Sequence, residues 1–214
     1  MRAARAALIE THAPSAPAND PRRWLHGFVY ADGELVLSRS EIPDERCKLL
    51  AQGAHCVNAR YNAVGATPRH AVRDKITRMT IGDDVAQFTQ VHTNYWFYGM
   101  DAITSIDGLR NLRGAGEIQH TFNSFSGLAA LDLRGFDPSN LTSLYYTFSG
   151  CKALETITVD ADWRLPESGL SGVRTFNGCT PLVGGNGTAY SSGATSYTYM
   201  KIDKNGDPGH LTMG

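Results

Sequence analysis

The sequence predicts an α/β repeat fold: a short solenoid with a parallel sheet, capped by a β-hairpin at each end. Four phenylalanines, Phe97, Phe122, Phe148 and Phe176, recur at spacings of 25, 26 and 28 residues. Apolar residues follow each of them three and six positions later, and the strand-like segments LAALDL and LETITV complete two copies. A period of about 20–29 residues with an L-x-x-L-x-L strand is typical of leucine-rich repeats.

The apolar positions keep a fixed phase with these phenylalanines. The residues three positions on are Met100, Phe125, Cys151 and Cys179, and those six positions on are Ile103, Leu128, Leu154 and Leu182. Each copy alone would expose this set to water, whereas a fully buried Leu or Phe side chain contributes about 1.5–3 kcal/mol. We therefore expect the copies to stack on one another.

The segments between the strands predict turns and short helical pieces. In GFDPSNLTSLYY a Pro138-Ser139-Asn140 turn precedes Leu141 and Leu144 at helical spacing, which predicts a helical turn on the convex side. The next crossing is longer and contains Pro166, so we expect it to be irregular.

The flanks predict caps. WLHGFVYADGELVLS alternates about an Ala-Asp-Gly turn, which predicts a hairpin from Trp24 to Ser38. Residues 43–52 suggest one short helix, and Ile76, Met79 and Ile81 alternate as in a first strand. TSYTYMKIDKNGDPGHLT predicts a closing hairpin at the carboxyl end.

The quoted segments resemble a known family, the BspA-like leucine-rich repeats of bacterial surface proteins. FSGCKALETITV and GFDPSNLTSLYYTF carry the resemblance, which spans about residues 24–212. The family's usual Met before the repeat phenylalanine is replaced here by Trp96, Thr121, Thr147 and Thr175. We expect a flexible lead-in at 1–22, a hairpin cap and first-strand region at 23–93, the repeats at 94–183 and a capping unit at 184–214.

Composition limits the possible partners. The 214 residues carry 20 basic and 21 acidic side chains, giving a formal charge of −1. Interspersed charges of this kind do not form the basic patch of a nucleic-acid-binding protein, and no apolar run is long enough to span a membrane. The resemblance implies a secreted or cell-surface location. Residues 1–22 do not read as a signal peptide, which leaves a cytoplasmic or phage-associated location open.

The cysteines offer little chemistry. Cys151 and Cys179 occupy the same repeat position, so we expect inert packing in the core. Cys47 and Cys56 are compatible with a disulfide or with half of a metal site, but their spacing matches no zinc pattern, and the sequence leaves open whether they pair. The sequence predicts no metal and no cofactor.

Two polar segments resemble ligand loops only partly. Asp203, Asn205 and Asp207 have the spacing that begins a calcium loop, but Pro208 stands where the invariant Gly belongs, so a polar turn is the preferred interpretation. The Gly-Gly-Asn-Gly run at 184–187 can form an anion nest, but no helix signal follows it. No catalytic motif is present, and we expect no enzyme.

The outward positions of the strands supply the predicted binding residues. Stacked copies would align a small polar stripe formed by Ser105, Asp107, Ala130, Asp132, Thr156 and Thr158. Aromatic residues at its rim, Tyr145 and Tyr146, would add contact area. The alternative is a solvated sheet face.

Three functions are compatible with this pattern. We favour a non-catalytic recognition or adhesion module that presents its face to a protein or glycan, as the resemblance implies. The alternatives are an intracellular or phage-encoded protein that binds and inhibits a partner protein, and a hydrolase of cell-surface polymers.

Overall fold

The structure, a computed structural model, describes residues 24–45, 47–57 and 70–214. It contains the strands β1 (Trp24–Tyr30), β2 (Glu34–Ser38), β3 (Leu49–Cys56), β4 (Arg78–Ile81), β5 (Ser105–Asp107), β6 (Ala130–Asp132), β7 (Thr156–Val159) and β8 (Thr212–Met213). Short 3-10 helices lie at His70–Lys75, Asp83–Gln87, Leu109–Asn111 and Tyr197–Tyr199. The predicted lead-in at 1–22 falls outside the described residues.

These strands form two sheets. The first is mixed, with the order β3-β1-β2-β4-β5, and the second is a parallel sheet with the order β6-β7-β8. The predicted α/β leucine-rich-repeat solenoid is therefore wrong. In the residues that the structure describes, two separate sheets replace the single parallel one, and there is no α-helix and no solenoid.

The break between the sheets follows β5. Gly108 comes directly after this strand with a left-handed φ of 81° and starts the next 3-10 helix. A Cβ at Gly108 would lie 2.1 Å from the carbonyl oxygen of Ile81, so the chain turns back against the end of β4. Strands β5 and β6 are in contact, but they belong to different sheets.

The predicted helical turn between copies is also absent, because backbone N–H groups there form hydrogen bonds with the neighbouring copy. The N–H groups of Leu144, Tyr146 and Phe148 donate to carbonyl oxygens of the next copy at 2.8, 3.2 and 2.8 Å. An α-helix would use the same groups for bonds to the fourth preceding residue. The lateral bonds thus replace the helical ones.

The flanks agree with the sequence in part. The hairpin from Trp24 to Ser38 is confirmed, since β1 and β2 pair antiparallel across it. The short helix expected at 43–52 is wrong, because β3 begins at Leu49 and pairs antiparallel with β1. The closing hairpin is wrong as well, because Tyr197–Tyr199 form a 3-10 helix and Ile202 pairs parallel with Leu211, which leaves, in the described residues 195–212, a single antiparallel bridge, between Lys204 and Asp207.

The four recurring phenylalanines form one buried column, which we call the phenylalanine stack. Phe97 and Phe122 have ring centroids 6.2 Å apart, and each of the next two gaps, to Phe148 and to Phe176, is 5.5 Å. The rings of Phe122 and Phe148 are nearly parallel, at 3°. All four side chains are buried, so the stack forms the centre of the core.

The threonines that stand before these phenylalanines tie neighbouring copies together. The hydroxyl groups of Thr121, Thr147 and Thr175 donate to carbonyl oxygens of the preceding copy at 2.9, 3.0 and 2.9 Å. The thiols of Cys151 and Cys179 donate to the carbonyls of earlier stack residues at 3.1 and 3.0 Å. These buried hydroxyls and thiols thus have partners, and each threonine adds a side-chain hydrogen bond to a carbonyl oxygen that already accepts a backbone N–H.

Candidate functional site

The polar stripe predicted from the strands is divided between the two sheets. Ala130 pairs with Thr156 and Asp132 pairs with Thr158, so these four positions do lie side by side. Ser105 and Asp107 instead belong to the first sheet, where their partners are Arg78 and Thr80. The structure brings together four of the six residues and places the other two in a different sheet.

Asp132 and Thr158, two of the four residues that remain in the stripe, already contact other parts of the chain. The Arg134 guanidinium bonds to the Asp132 carboxylate at 2.7 Å and lowers the pKa of that carboxyl. A Cβ at Gly214 would lie 2.3 Å from Thr158, so the backbone of Gly214 lies against this side chain. The stripe therefore offers few unengaged groups to a ligand.

A different surface feature runs beside the phenylalanine stack. The residues two positions before each stack phenylalanine are Tyr95, His120, Tyr146 and Arg174, and we call them the surface column. The His120 ring stacks on Tyr95 at 4.5 Å and on Tyr146 at 4.8 Å, and Arg174 lies over Tyr146 at 5.8 Å. Arg174 is exposed and the three rings are half-buried. A continuous row of large side chains thus reaches the surface.

All four residues of the surface column have left-handed backbone. Their φ values are 59°, 52°, 54° and 54° in chain order. Positive φ is uncommon for residues other than Gly and marks strain when the side chain is bulky. Such strain tends to cluster at functional sites. Its repetition at matched positions is the most unusual backbone feature of the described residues.

His120 is held in a defined orientation at the centre of the surface column. The Asn123 side-chain amide lies 3.2 Å from its Nδ1, and that amide nitrogen can only donate, so Nδ1 is the acceptor. The ring proton of the neutral imidazole is therefore on Nε2. Burial lowers the pKa of His120, so the ring is neutral at pH 7.

Tyr98 and a hydrogen bond from Arg174 complete the geometry of the surface column. Tyr98 flanks the surface column, with its ring 6.0 Å from both Tyr95 and His120. Arg174 Nη1 donates to the Tyr146 hydroxyl at 3.2 Å. Of the two tyrosines predicted from the sequence, Tyr146 belongs to the surface column, and Tyr145 is the adjacent half-buried residue.

All four cysteines are free thiols, and neither pair forms a disulfide. Cys47 and Cys56 are free; Cys47 precedes β3 and Cys56 ends it, and at about 3.3 Å per residue this strand is about 20 Å long or more. They therefore form neither the disulfide nor the half metal site considered from the sequence. Cys151 and Cys179 are free and fully buried, as inert packing requires.

The possible anion nest is filled by the protein's own carboxylate. Asp203 accepts hydrogen bonds from the backbone of Asn186 at 2.8 Å and from that of Thr188 at 2.9 Å. The Thr188 hydroxyl and the Gly209 N–H donate to its other oxygen at 2.6 and 3.2 Å. Asp203 is thus a structural anchor, and the segment that resembled a calcium loop forms a polar turn.

Another buried titratable group closes the phenylalanine stack. The His210 ring meets Phe176 edge-on at 5.1 Å and stacks on Tyr199 at 5.2 Å. Its Nε2 lies 2.8 Å from the Ala194 carbonyl oxygen and donates to it. Burial lowers the pKa of His210, so it packs as a neutral ring.

A half-open hollow of about 410 Å³ lies beside the stacked rings of Phe136 and Trp163. The Asp160 carboxylate at its wall accepts the Gly135 N–H at 2.5 Å. The Asp137 carboxylate accepts a backbone N–H in the same loop. These acids brace the loop backbone, so the hollow is weaker than the surface column as a candidate site.

The part of the chain that the structure describes contains no group of three or more metal-binding side chains. None of its helical segments is long and apolar enough to cross a membrane. No family model, curated protein or solved structure matches the chain.

Proposed function

We propose that the protein is a non-catalytic binding module that holds an extended protein or glycan partner along the surface column. The observation that supports this proposal is the repeated left-handed backbone under Tyr95, His120, Tyr146 and Arg174. Adhesion-type binding is also the role implied by the resemblance of FSGCKALETITV to surface-protein repeats.

Large side chains at these positions carry a backbone cost. A left-handed residue other than Gly costs about 1–2 kcal/mol, whereas glycine would adopt the same backbone without steric cost. The stacked rings return part of this cost through their contacts and through the burial of ring area. We infer that the parts of these side chains that reach the surface serve an external contact.

The surface column presents edges rather than ring faces, because the faces stack on one another. The polar groups at these edges are the phenol hydroxyls, the imidazole Nε2–H and the guanidinium. Their mutual stacking limits rotamer freedom before a ligand arrives, which lowers the entropic cost of binding. An ordered row of polar edges suits an extended partner better than a small molecule.

A paired glycan and peptide array tests the proposal with the purified chain and its Tyr146→Gly variant. Glycine keeps the left-handed backbone, so this variant should fold, and we expect it to lose at least one ligand that the wild type captures. Mass spectrometry should recover the captured ligand unchanged, since no turnover is proposed.

The matched control is the double variant Asp132→Arg/Thr158→Arg on the strand face, which should retain the same ligands. Equal capture by wild type and Tyr146→Gly would contradict the proposal. Loss of capture only in the strand-face variant would move the site to β6 and β7.

A further inference from the structure

The outward groups of the surface column are hydrogen-bond donors. The Tyr146 hydroxyl accepts a bond from Arg174, which leaves its own proton for an external acceptor. His120 Nδ1 is occupied by Asn123, which leaves the Nε2–H to donate outward. The guanidinium of Arg174 carries donors only. A ligand that pairs with this row must be rich in acceptors.

A guanidinium lies at one end of the row. Arg174 covers the Tyr146 ring, with its guanidinium carbon 5.8 Å from the ring centroid, and the side chain is exposed. The positive charge of Arg174 therefore marks one end of a neutral donor row.

We propose that the ligand of the surface column is an acidic polysaccharide, bound through carboxylates and ring hydroxyls by this donor row and the Arg174 guanidinium at its end. The proposal rests on the proposed function and names its ligand class. Guanidinium groups recognise carboxylates with paired, charge-assisted hydrogen bonds, and an ordered donor row matches a polymer that repeats its acceptors.

The spacing favours a glycan over an acidic peptide. Side chains on one face of an extended peptide recur about every 6.8 Å. The contacts of His120 with its two neighbours are 4.5 and 4.8 Å long. A chain of sugar rings offers hydroxyl and ring oxygens on every unit, so its acceptors recur at shorter intervals.

Binding of polygalacturonate to the full chain at neutral pH and low salt tests the proposal. The matched neutral probe is the same polymer with its carboxylates methyl-esterified, and poly-L-glutamate is the acidic peptide. We expect polygalacturonate to bind at least about tenfold more tightly than either, a difference typical of a charge-assisted contact. Equal binding to the ester, or tighter binding to polyglutamate, would overturn the proposal.

Charge variants locate the contact. Arg174→Gln should weaken polygalacturonate binding about tenfold or more, whereas the exposed Arg113→Gln should leave it unchanged. If Arg174→Gln bound polygalacturonate with unchanged affinity, the guanidinium would not contact the polymer, and the proposal would be overturned.

Titration supplies an independent readout at the centre of the row. The groups that face His120 are the rings of Tyr95, Tyr98 and Tyr146 and the side-chain amide of Asn123. Protonation of His120 at acid pH adds a positive charge, so polygalacturonate affinity should rise as pH falls. His120→Gln should flatten this rise. The same rise in that variant would contradict the donor-row contact.

The two proposals fail in different ways. If the surface column binds a neutral glycan or a peptide that Tyr146→Gly loses, the proposed function stands and the acidic ligand is wrong. If Tyr146→Gly binds polygalacturonate as well as the wild type does, the surface column is not the site and both proposals are wrong.

Discussion

Replacing Phe148 with alanine is expected to lower the free energy of unfolding by about 3–5 kcal/mol, the usual cost of removing a fully buried phenylalanine ring. Phe148 is 1% exposed and has stacked neighbours on both faces, with centroids 5.5 Å away. Truncation would open a cavity in the middle of the phenylalanine stack. Urea denaturation measures the loss.

The control for this variant is Val173→Ala, since Val173 is 52% exposed and belongs to the next copy. A surface truncation of this kind should change the unfolding free energy by less than about 0.5 kcal/mol. If Phe148→Ala cost no more than Val173→Ala, the phenylalanine stack would not be the centre of the core.

Exchanging Asp203 for asparagine is expected to destabilise the protein by about 2–5 kcal/mol, since each buried donor left without an acceptor costs about 1–3 kcal/mol. The side chain is 6% exposed, and its two oxygens accept four hydrogen bonds. An amide in this place would set its own N–H groups against donors. The side chain at position 203 cannot shift towards Gly184 to avoid these donors, because the carboxylate already packs against it: a Cβ at Gly184 would lie 2.6 Å from the carboxylate.

The same residue gives the stability a dependence on acid pH. Burial acts to raise the pKa of Asp203, but the hydrogen bonds from Thr188, Gly209 and Asn186 outweigh it and lower that pKa. A carboxyl with a lowered folded-state pKa contributes stability above its unfolded pKa and loses it as pH falls through the folded value. Unfolding free energies across the acid range should show this loss in the wild type, and Asp203→Asn should lack it.

Asp207→Asn is the matched control, because Asp207 lies four residues away and its ion pair with Lys201 is exposed. Exposed pairs contribute about 0–1 kcal/mol. Equal effects of the Asp203 and Asp207 exchanges would refute the anchoring role of Asp203.

The stack phenylalanines could be located from the sequence because apolar periodicity reports burial directly. Phe122, Phe148 and Phe176 keep one phase, and they meet in the core. The first hairpin could be predicted for a similar reason, since alternation around Gly33 indicates a turn with positive φ, which the structure shows at 85°.

The sheets and crossings could not be predicted in this way. Leu141 and Leu144 have helical spacing, but the Leu141 N–H only closes a turn on Pro138, and the Leu144 N–H bonds laterally to Ser171 of the next copy. Periodicity identifies which side chains are buried, and it does not say whether the backbone bonds along the chain or across it. The expected helix was therefore wrong although both leucines are buried.

The surface column could not be predicted from the sequence, because its four residues have no chemical property in common. Tyr95, His120, Tyr146 and Arg174 are alike only in lying two residues before a stack phenylalanine and in adopting positive φ. Residues other than Gly give no sequence signal for that backbone. Aligning the copies on their phenylalanines would have revealed a row of large side chains there, although not their stacking.

Chemical-shift mapping by NMR, with the isotope-labelled chain and the ligand captured on the array, tests the central claim most directly. We predict that the backbone amide signals that move on binding centre on Tyr95, His120 and Tyr146. Shifts centred on β6 and β7, with those three amides unmoved, would contradict the account and return the site to the strand face.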